Sequence, residues 1–203
     1  MRFSLISSIL ATLSSVAITA PTSQPGTTKL TTRDITIEDC VDFLETLSNK
    51  AQQLELIAEE ITTINGPLIT IDQGPFPEII DGIDYFNDEA DKFKTMYAES
   101  ETVFDEVGCN IITASNMEFF GTNDAFLTTL IRKASLFHTV PVIGKPVYQA
   151  LEQLGGRYSD LGKFLVGHRE CESTAEFDSD FKGLSKSVTK AIYAYKGIAA
   201  LTE

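Results

Sequence analysis

Val147-Tyr148-Gln149-Ala150-Leu151-Glu152-Gln153-Leu154-Gly155-Gly156-Arg157-Tyr158-Ser159-Asp160-Leu161-Gly162-Lys163-Phe164-Leu165 is the stretch that decides the fold. Val147, Leu151, Leu154, Tyr158, Leu161 and Leu165 recur at alternating gaps of four and three. That repeat keeps one face of an α-helix apolar while its charges point elsewhere. Three glycines interrupt it: Gly155, Gly156 and Gly162. Each costs about 1 kcal/mol relative to Ala in a helix interior. The usual compensation is close approach of another backbone or of a ligand.

Four more segments repeat the pattern. Thr36-Ile37-Glu38-Asp39 is a capping box in its Asp form. Behind it Ile37, Val41, Leu44, Leu47, Ala51, Leu54, Ala58 and Ile61 make one seam, which Asn65-Gly66-Pro67 stops. Gly74-Pro75-Phe76-Pro77 opens a second helix with Pro77 at its first position. Ile80, Ile83, Phe86, Ala90, Phe93 and Tyr97 follow, and the pattern is open to continuation through Val103, Phe104 and Val107 to Gly108. A second capping box, Ser115-Asn116-Met117-Glu118, predicts the start of a third helix. Its apolar positions run from Phe119 and Phe120 to Leu136 and Phe137 and cover more than one stripe, as in a helix at the middle of a bundle. The box Ser173-Thr174-Ala175-Glu176 opens a fifth, with Phe177, Phe181, Leu184, Val188, Ile192, Tyr195 and Ala199. No segment alternates with period two, so no sheet is expected. The fold class is all-α: an up-and-down bundle of about five amphipathic helices over residues 34–203. In that topology Cys40, Cys109 and Cys171 share one end of the bundle with His168, and His138 lies at the other.

The first twenty residues read differently. Arg2 precedes an apolar run from Phe3 to Ile18 broken only by Ser and Thr, and small residues close it at Ala17 or Ala20. That is a secretory leader over 1–20, too short for a membrane anchor. Residues 21–33 form a polar Thr/Pro-rich linker or pro-segment. A secreted, extracellular protein follows, loosely associated with a cell wall at most, since no transmembrane stretch and no lipid-anchor signal is present. The 203-residue chain carries a formal net charge of −13. Such a surface repels nucleic-acid phosphates, so no nucleic-acid partner is expected. No Asn-x-Ser/Thr acceptor occurs.

Catalytic chemistry is not visible. There is no Gly-x-Ser-x-Gly elbow, phosphate loop or HExxH. The two histidines sit at opposite ends, and His168-Arg169-Glu170-Cys171 lacks further ligands at metal spacing, so neither a metal nor a cofactor is expected. Asp81, Asp84, Asp88 and Asp91 make an acidic ridge, which on an amphipathic helix is ordinarily its solvated face. Three cysteines in an oxidising compartment suggest one disulfide. Cys109 and Cys171 are the expected pair, both preceding capped helices at one end; Cys40–Cys109 and Cys40–Cys171 are the alternatives.

Two blocks carry a resemblance. Ala125 to Val147 contains the turn Thr139-Val140-Pro141-Val142-Ile143-Gly144-Lys145-Pro146, and Gly74-Pro75-Phe76-Pro77-Glu78-Ile79-Ile80 opens a helix. Both resemble a set of small secreted helical proteins of ascomycete fungi, first named for induction by ultraviolet light. More distantly, the leader, Thr-rich spacer and acidic amphipathic helices are similar to the hydrophobic surface-binding protein A and cell-wall galactomannoprotein family. The chain departs from wall-anchored members in lacking a Ser/Thr-rich stalk. The resemblance implies a non-enzymatic role: adsorption to hydrophobic surfaces, or a lipid held between helices.

The resulting expectation is a secreted fungal helical protein that binds a fatty acid, another amphiphile or a hydrophobic surface, and is not an enzyme. The alternative is an effector or inhibitor acting through a protein partner. The expected ligand-contacting residues are Phe126, Leu130, Ala134, Val140, Val142, Ile143, Tyr148 and Gly155. The turn from Thr139 to Pro146 is expected to be largely buried, because its apolar content is unusual for a loop.

Overall fold

The computed structural model describes residues 34–168 and 174–200. The leader, the linker and Cys171 lie outside the described residues. Five long helices make up the fold: α1 (Ile37–Glu59), α2 (Pro75–Met96), α3 (Glu106–Ala134), α4 (Gly144–Gly167) and α5 (Thr174–Ala199). Short 3-10 segments, Gly66–Ile71, Ser135–Phe137 and Pro141–Ile143, join them at one end. No β-strand occurs among the described residues.

Local chemistry sets most of the boundaries. The Thr36 hydroxyl accepts from the Asp39 N–H, and the Asp39 carboxylate accepts from the Thr36 N–H, completing the box that starts α1. α2 begins two residues earlier than expected. Gly74, at φ 80°, turns the chain into Pro75, a conformation that other residues rarely adopt. α2 also ends at Met96 instead of running on to Gly108. The Tyr97 N–H still bonds the Phe93 carbonyl, but Asp105 then caps a new helix by accepting from the Gly108 N–H at 2.9 Å. The expected start of α3 at Ser115 is therefore a correction. Ser115-Asn116-Met117-Glu118 lies inside a helix that opened nine residues before, and its box pattern is coincidental.

Side-chain contacts fix how the helices are arranged. A Cβ on Gly108 would meet Ile37, while Glu59 pairs with Arg132 and, at 3.7 Å, with Lys133, so α1 and α3 run parallel. The Arg132 guanidinium, hydrogen-bonded to Glu59, holds that carboxyl below its ordinary range. Phe119 and Phe120 pack on Phe181, and the Tyr195 hydroxyl donates to the Leu130 carbonyl at 3.1 Å, so α3 and α5 are also parallel. α4 runs antiparallel to α5: Gly144 lies against Ala199, Gly155 against Val188 and Gly162 against Phe181. Phe86 meets Tyr158 and Phe93 meets Phe164, placing α2 parallel to α4. Phe43 stacks on Phe93 with ring centroids 4.0 Å apart, and a Cβ on Gly82 would strike Leu54, so α1 and α2 are antiparallel. The helices form a closed ring in the order α1–α3–α5–α4–α2 around one core.

This topology places Cys40 and Cys109 at the same end, both fully buried in first turns. The Phe104 N–H donates to the His168 carbonyl at 3.0 Å, and His168 Nδ1 lies 2.9 Å from the Thr102 carbonyl, so His168 is at this end as well. The 3-10 segments close the other. Ile143 and Gly144 are buried against α5, Val140 is half-buried, and Val142 is 46% exposed. The expectation that the turn from Thr139 to Pro146 is largely buried is therefore corrected: Ile143 and Gly144 are inserted, while Thr139, Val142 and Lys145 are exposed and the other three are half-buried.

Two glycines separate packing from propensity. A Cβ on Gly144 would sit 2.4 Å from the Ala199 nitrogen and 2.6 Å from the Tyr195 oxygen, both backbone atoms. Gly144→Ala is expected to cost about 1–3 kcal/mol. Gly121, also helical, has nothing within 4 Å of its missing Cβ, so Gly121→Ala should add about 1 kcal/mol. Denaturant unfolding measures both. Separately, non-reducing peptide mapping is expected to recover a peptide joining Cys109 to Cys171; a Cys40-containing linked peptide would refute that pairing.

Candidate functional site

α3 supplies the inner wall of the ring. Cys109, Ile112, Asn116, Phe119, Asn123, Phe126 and Leu130 follow each other at gaps of three and four, and all are buried. Two of the seven are amides one heptad apart. Asn123 is satisfied: its Nδ2 donates to the Phe119 carbonyl at 2.7 Å, and the Tyr158 hydroxyl donates to its Oδ1. Tyr158 comes from α4, and its ring meets the edges of Phe86 and Phe119. Burial pushes its phenol well above the ordinary value of 10.0, so it stays a neutral donor. One polar crosslink therefore spans an aromatic interior.

Asn116 has no such arrangement. It is 1% exposed, and neither Oδ1 nor Nδ2 has a hydrogen-bond partner among the described residues. A buried amide without partners costs about 1–3 kcal/mol for each group left unmade. Its position is forced by the α3 repeat, which turns residue 116 inward together with Ile112, Phe119 and Asn123. The sequence carried this signal: two amides at heptad spacing on an apolar seam. The Ser115–Glu118 box drew attention to the wrong role for Asn116.

The expected ligand residues are spread out. Phe126, Leu130 and Ala134 share the buried face of α3, and Ile143 is buried beside α5. Val140 is half-buried and Val142 faces outward. Tyr148 is half-buried on α4 with the Lys196 ammonium 5.8 Å from its ring centroid. At Gly155 a Cβ would sit 3.0 Å from Val188 Cγ1 of α5. That glycine accepts a neighbouring side chain, and so does Gly162, whose Cβ position is 2.9 Å from the Phe181 ring.

Among the described residues, grooves run along four of the helix seams. They lie between α2 and α4, about 550 Å³, between α1 and α2, about 340 Å³, between α4 and α5, about 250 Å³, and between α3 and α5, about 630 Å³. None of the eight expected residues lines these four. Among the described residues no group of three or more His, Cys, Asp or Glu could hold a metal ion. No helix of the described residues is long and apolar enough to cross a membrane.

The described residues form a five-helix ring with an aromatic core, an internal Tyr158–Asn123 crosslink and, at Asn116, a buried amide with neither polar atom partnered. No protein-family model matches the chain, and no curated protein matches it in sequence. Solved structures do match in fold. Ligand binding domain 1 of the Penicillium marneffei MP1 protein, complexed with arachidonic acids, superimposes with a TM-score of 0.66 at 12% identity, covering 80% of this chain and 99% of that one. Ligand binding domain 2 of the same protein, also in complex with arachidonic acids, gives 0.67 at 13% identity, covering 82% and 96%. The ring bundle is thus the fold of those fungal domains.

The amide gives a direct stability test. Asn116→Leu keeps the side-chain size and removes both unmade groups. It should raise unfolding free energy by about 1–3 kcal/mol. A loss of stability instead would mean that Asn116 is satisfied in the folded protein.

Proposed function

We propose that this chain is a secreted, non-catalytic protein that takes up a long-chain fatty acid or a similar amphiphile between its helices. The fold carries the proposal: the bundle matches, over nearly their whole length, two domains that hold arachidonic acid. The resemblance of the Ala125–Val147 and Gly74–Ile80 blocks to secreted fungal helical proteins points the same way. Secretion rests on the leader pattern of residues 1–20.

The interior supplies the two features an amphiphile needs. Phe119, Phe126, Leu130 and Tyr158 offer apolar surface, and an acyl chain gains roughly 0.8 kcal/mol for each methylene that it buries. Asn116 offers an amide whose N–H groups have no competing acceptor among the described residues, so a carboxylate reaching it meets an unoccupied donor. The chain enters by parting a seam, because the interior of the unliganded bundle is filled by aromatic side chains packed edge to face.

A second reading, adsorption to a hydrophobic surface, has its own observation. Ile64, 84% exposed, Leu68, Ile71, Leu136 and Val142 all stand out of the end that carries the 3-10 segments. The Gly66–Ile71 and Pro141–Ile143 segments touch each other, so these apolar tips share one end surface. An end of this kind suits first contact with a lipid or waxy surface, and it does not compete with an internal site.

Titration of delipidated protein with a fluorescent fatty acid decides between them. Saturable one-to-one binding is expected, displaced by unlabelled fatty acid. Asn116→Leu should weaken it about tenfold through loss of a charge-assisted hydrogen bond. No saturable signal up to high micromolar ligand would overturn the internal site. A protein that still coats hydrophobic beads, and loses that with Ile64→Ser and Val142→Ser, would then act by adsorption.

A further inference from the structure

Among the described residues, Asn87 Oδ1 and both polar atoms of Asn116 are buried without a hydrogen-bond partner. At Asn87 the oxygen alone is left. At Asn116 a donor, Nδ2, and an acceptor, Oδ1, stand unused side by side on one planar amide. Asn123, one heptad on, does not compete for a ligand, because Phe119 and Tyr158 already occupy it. Half a turn of the Asn116 amide about its terminal torsion exchanges the two atoms and keeps the pair.

The surroundings of that pair carry no charge. No Asp, Glu, Lys, Arg or His side chain among the described residues is buried. The titratable groups that are buried are Cys40 on α1, Tyr97 at the end of α2, Cys109 on α3, Tyr158 on α4 and Tyr195 on α5. None of these is a cation in any protonation state. Burial pushes the Tyr158 and Tyr195 phenols above 10.0, so both stay neutral. At this level of the bundle Glu45 on α1, Lys163 on α4, and Asp178 and Asp180 on α5 are exposed or half-buried. A carboxylate beside Asn116 therefore makes one bond, from Nδ2. It also faces the bare Oδ1, with nothing positive to balance its charge. An ionised carboxyl in such a place takes up a proton instead.

A neutral head group uses both atoms. A protonated carboxyl accepts from Nδ2–H through its C=O and donates its O–H to Oδ1, closing a ring of two hydrogen bonds. A primary amide does the same with its own C=O and N–H. We infer that the interior takes its amphiphile in neutral form, as the protonated fatty acid or as a fatty primary amide, paired through two hydrogen bonds with Asn116. This inference rests on the amphiphile uptake proposed above and names the head group that the site selects. For a fatty acid the consequence is a dependence on pH. The carboxyl pKa rises on binding. Binding is therefore strongest below the free carboxyl value of about 4.3 and weakens as pH climbs from the free value to the bound one.

Dodecanoic acid, dodecanamide and methyl dodecanoate share a tail and differ in the head. The ester accepts but does not donate, and neither it nor the amide ionises. Titration of each into delipidated protein, from about pH 5.5 to about pH 8, reads the preference directly. The amide should bind about tenfold tighter than the ester at every pH, for the added bond to Oδ1. The acid should come closest to the amide at low pH and weaken by about tenfold or more towards the high end. The amide should stay within twofold throughout, which separates ionisation of the ligand from any pH effect on the protein. Asn116→Leu should bring amide and ester together without weakening the ester, a result that general disturbance of the core does not give. If the acid binds saturably but equally across the range, or the amide gains nothing over the ester, the neutral head group is overturned and amphiphile uptake stands. If none of the three binds at any pH, uptake itself is refuted, and this inference with it.

Discussion

The close approach of α4 to α5 sets the spacing on which the rest of the ring depends. Gly144 brings the start of α4 against the backbone of Ala199, Gly155 receives Val188, and Gly162 receives the Phe181 ring. These three contacts stand on one face of α4. A side chain at Gly144 would meet backbone, which cannot swing aside, so the helices would have to separate. With α4 drawn towards α5, its inner face turns Leu154, Tyr158 and Leu161 into the core. Tyr158 then reaches Asn123 on α3, across the bundle. The polar crosslink of the interior is therefore made beside these glycines, since Gly155 and Gly162 lie three residues before and four residues after Tyr158 on the same side of α4.

Seen from the sequence, those glycines invited two explanations, close packing or room for a ligand. The structure gives each glycine its own. Gly155 and Gly162 are filled by α5, while Gly156, one residue on, faces the α2–α4 groove. Periodicity could not separate them, because a shift of one residue on a helix is a turn of about 100° and decides which neighbour is met. The five seams were legible for the same reason that these contacts were not: a seam is a property of one helix, a contact belongs to two. Thr36 capping α1 was legible, since both partners lie within one turn. Asp105 capping α3 was hidden, since the preceding apolar residues Val103 and Phe104 continue the α2 rhythm, and only tertiary contacts such as Phe104 to His168 interrupt it.

The candidate site shows the same division. Phe126 and Leu130 were identifiable as inward-facing from their spacing. Asn116 shared that spacing, but a capping pattern overlapped it and placed it at a helix start instead of on the seam. What distinguishes the two amides of α3 is a partner on another helix: Tyr158 for Asn123, and none among the described residues for Asn116. A core built for stability alone would carry Leu at position 116. An unpartnered amide in this setting is a local weakness, and local weaknesses of this sort gather where a protein must accommodate something else.

The ring also distributes that accommodation unevenly. α1 with α3 and α4 with α5 share the broadest contacts, and α3 joins the two pairs through α5. α2 closes the ring with narrower contacts on both sides, and both of its seams carry a groove. Its interior-facing residues, Phe76, Ile83, Phe86 and Phe93, are nonetheless fully apolar and well buried. Displacing α2 would disturb fewer contacts than displacing any other helix, and it would uncover the aromatic face on which Tyr158 and Phe86 meet. On the function proposed above, an acyl chain entering along this side would replace apolar contact with apolar contact, so the exchange would be nearly even for the core. The balance would then fall to the head group, for which the proposed function offers the amide of Asn116, both of whose polar atoms are buried without a partner among the described residues.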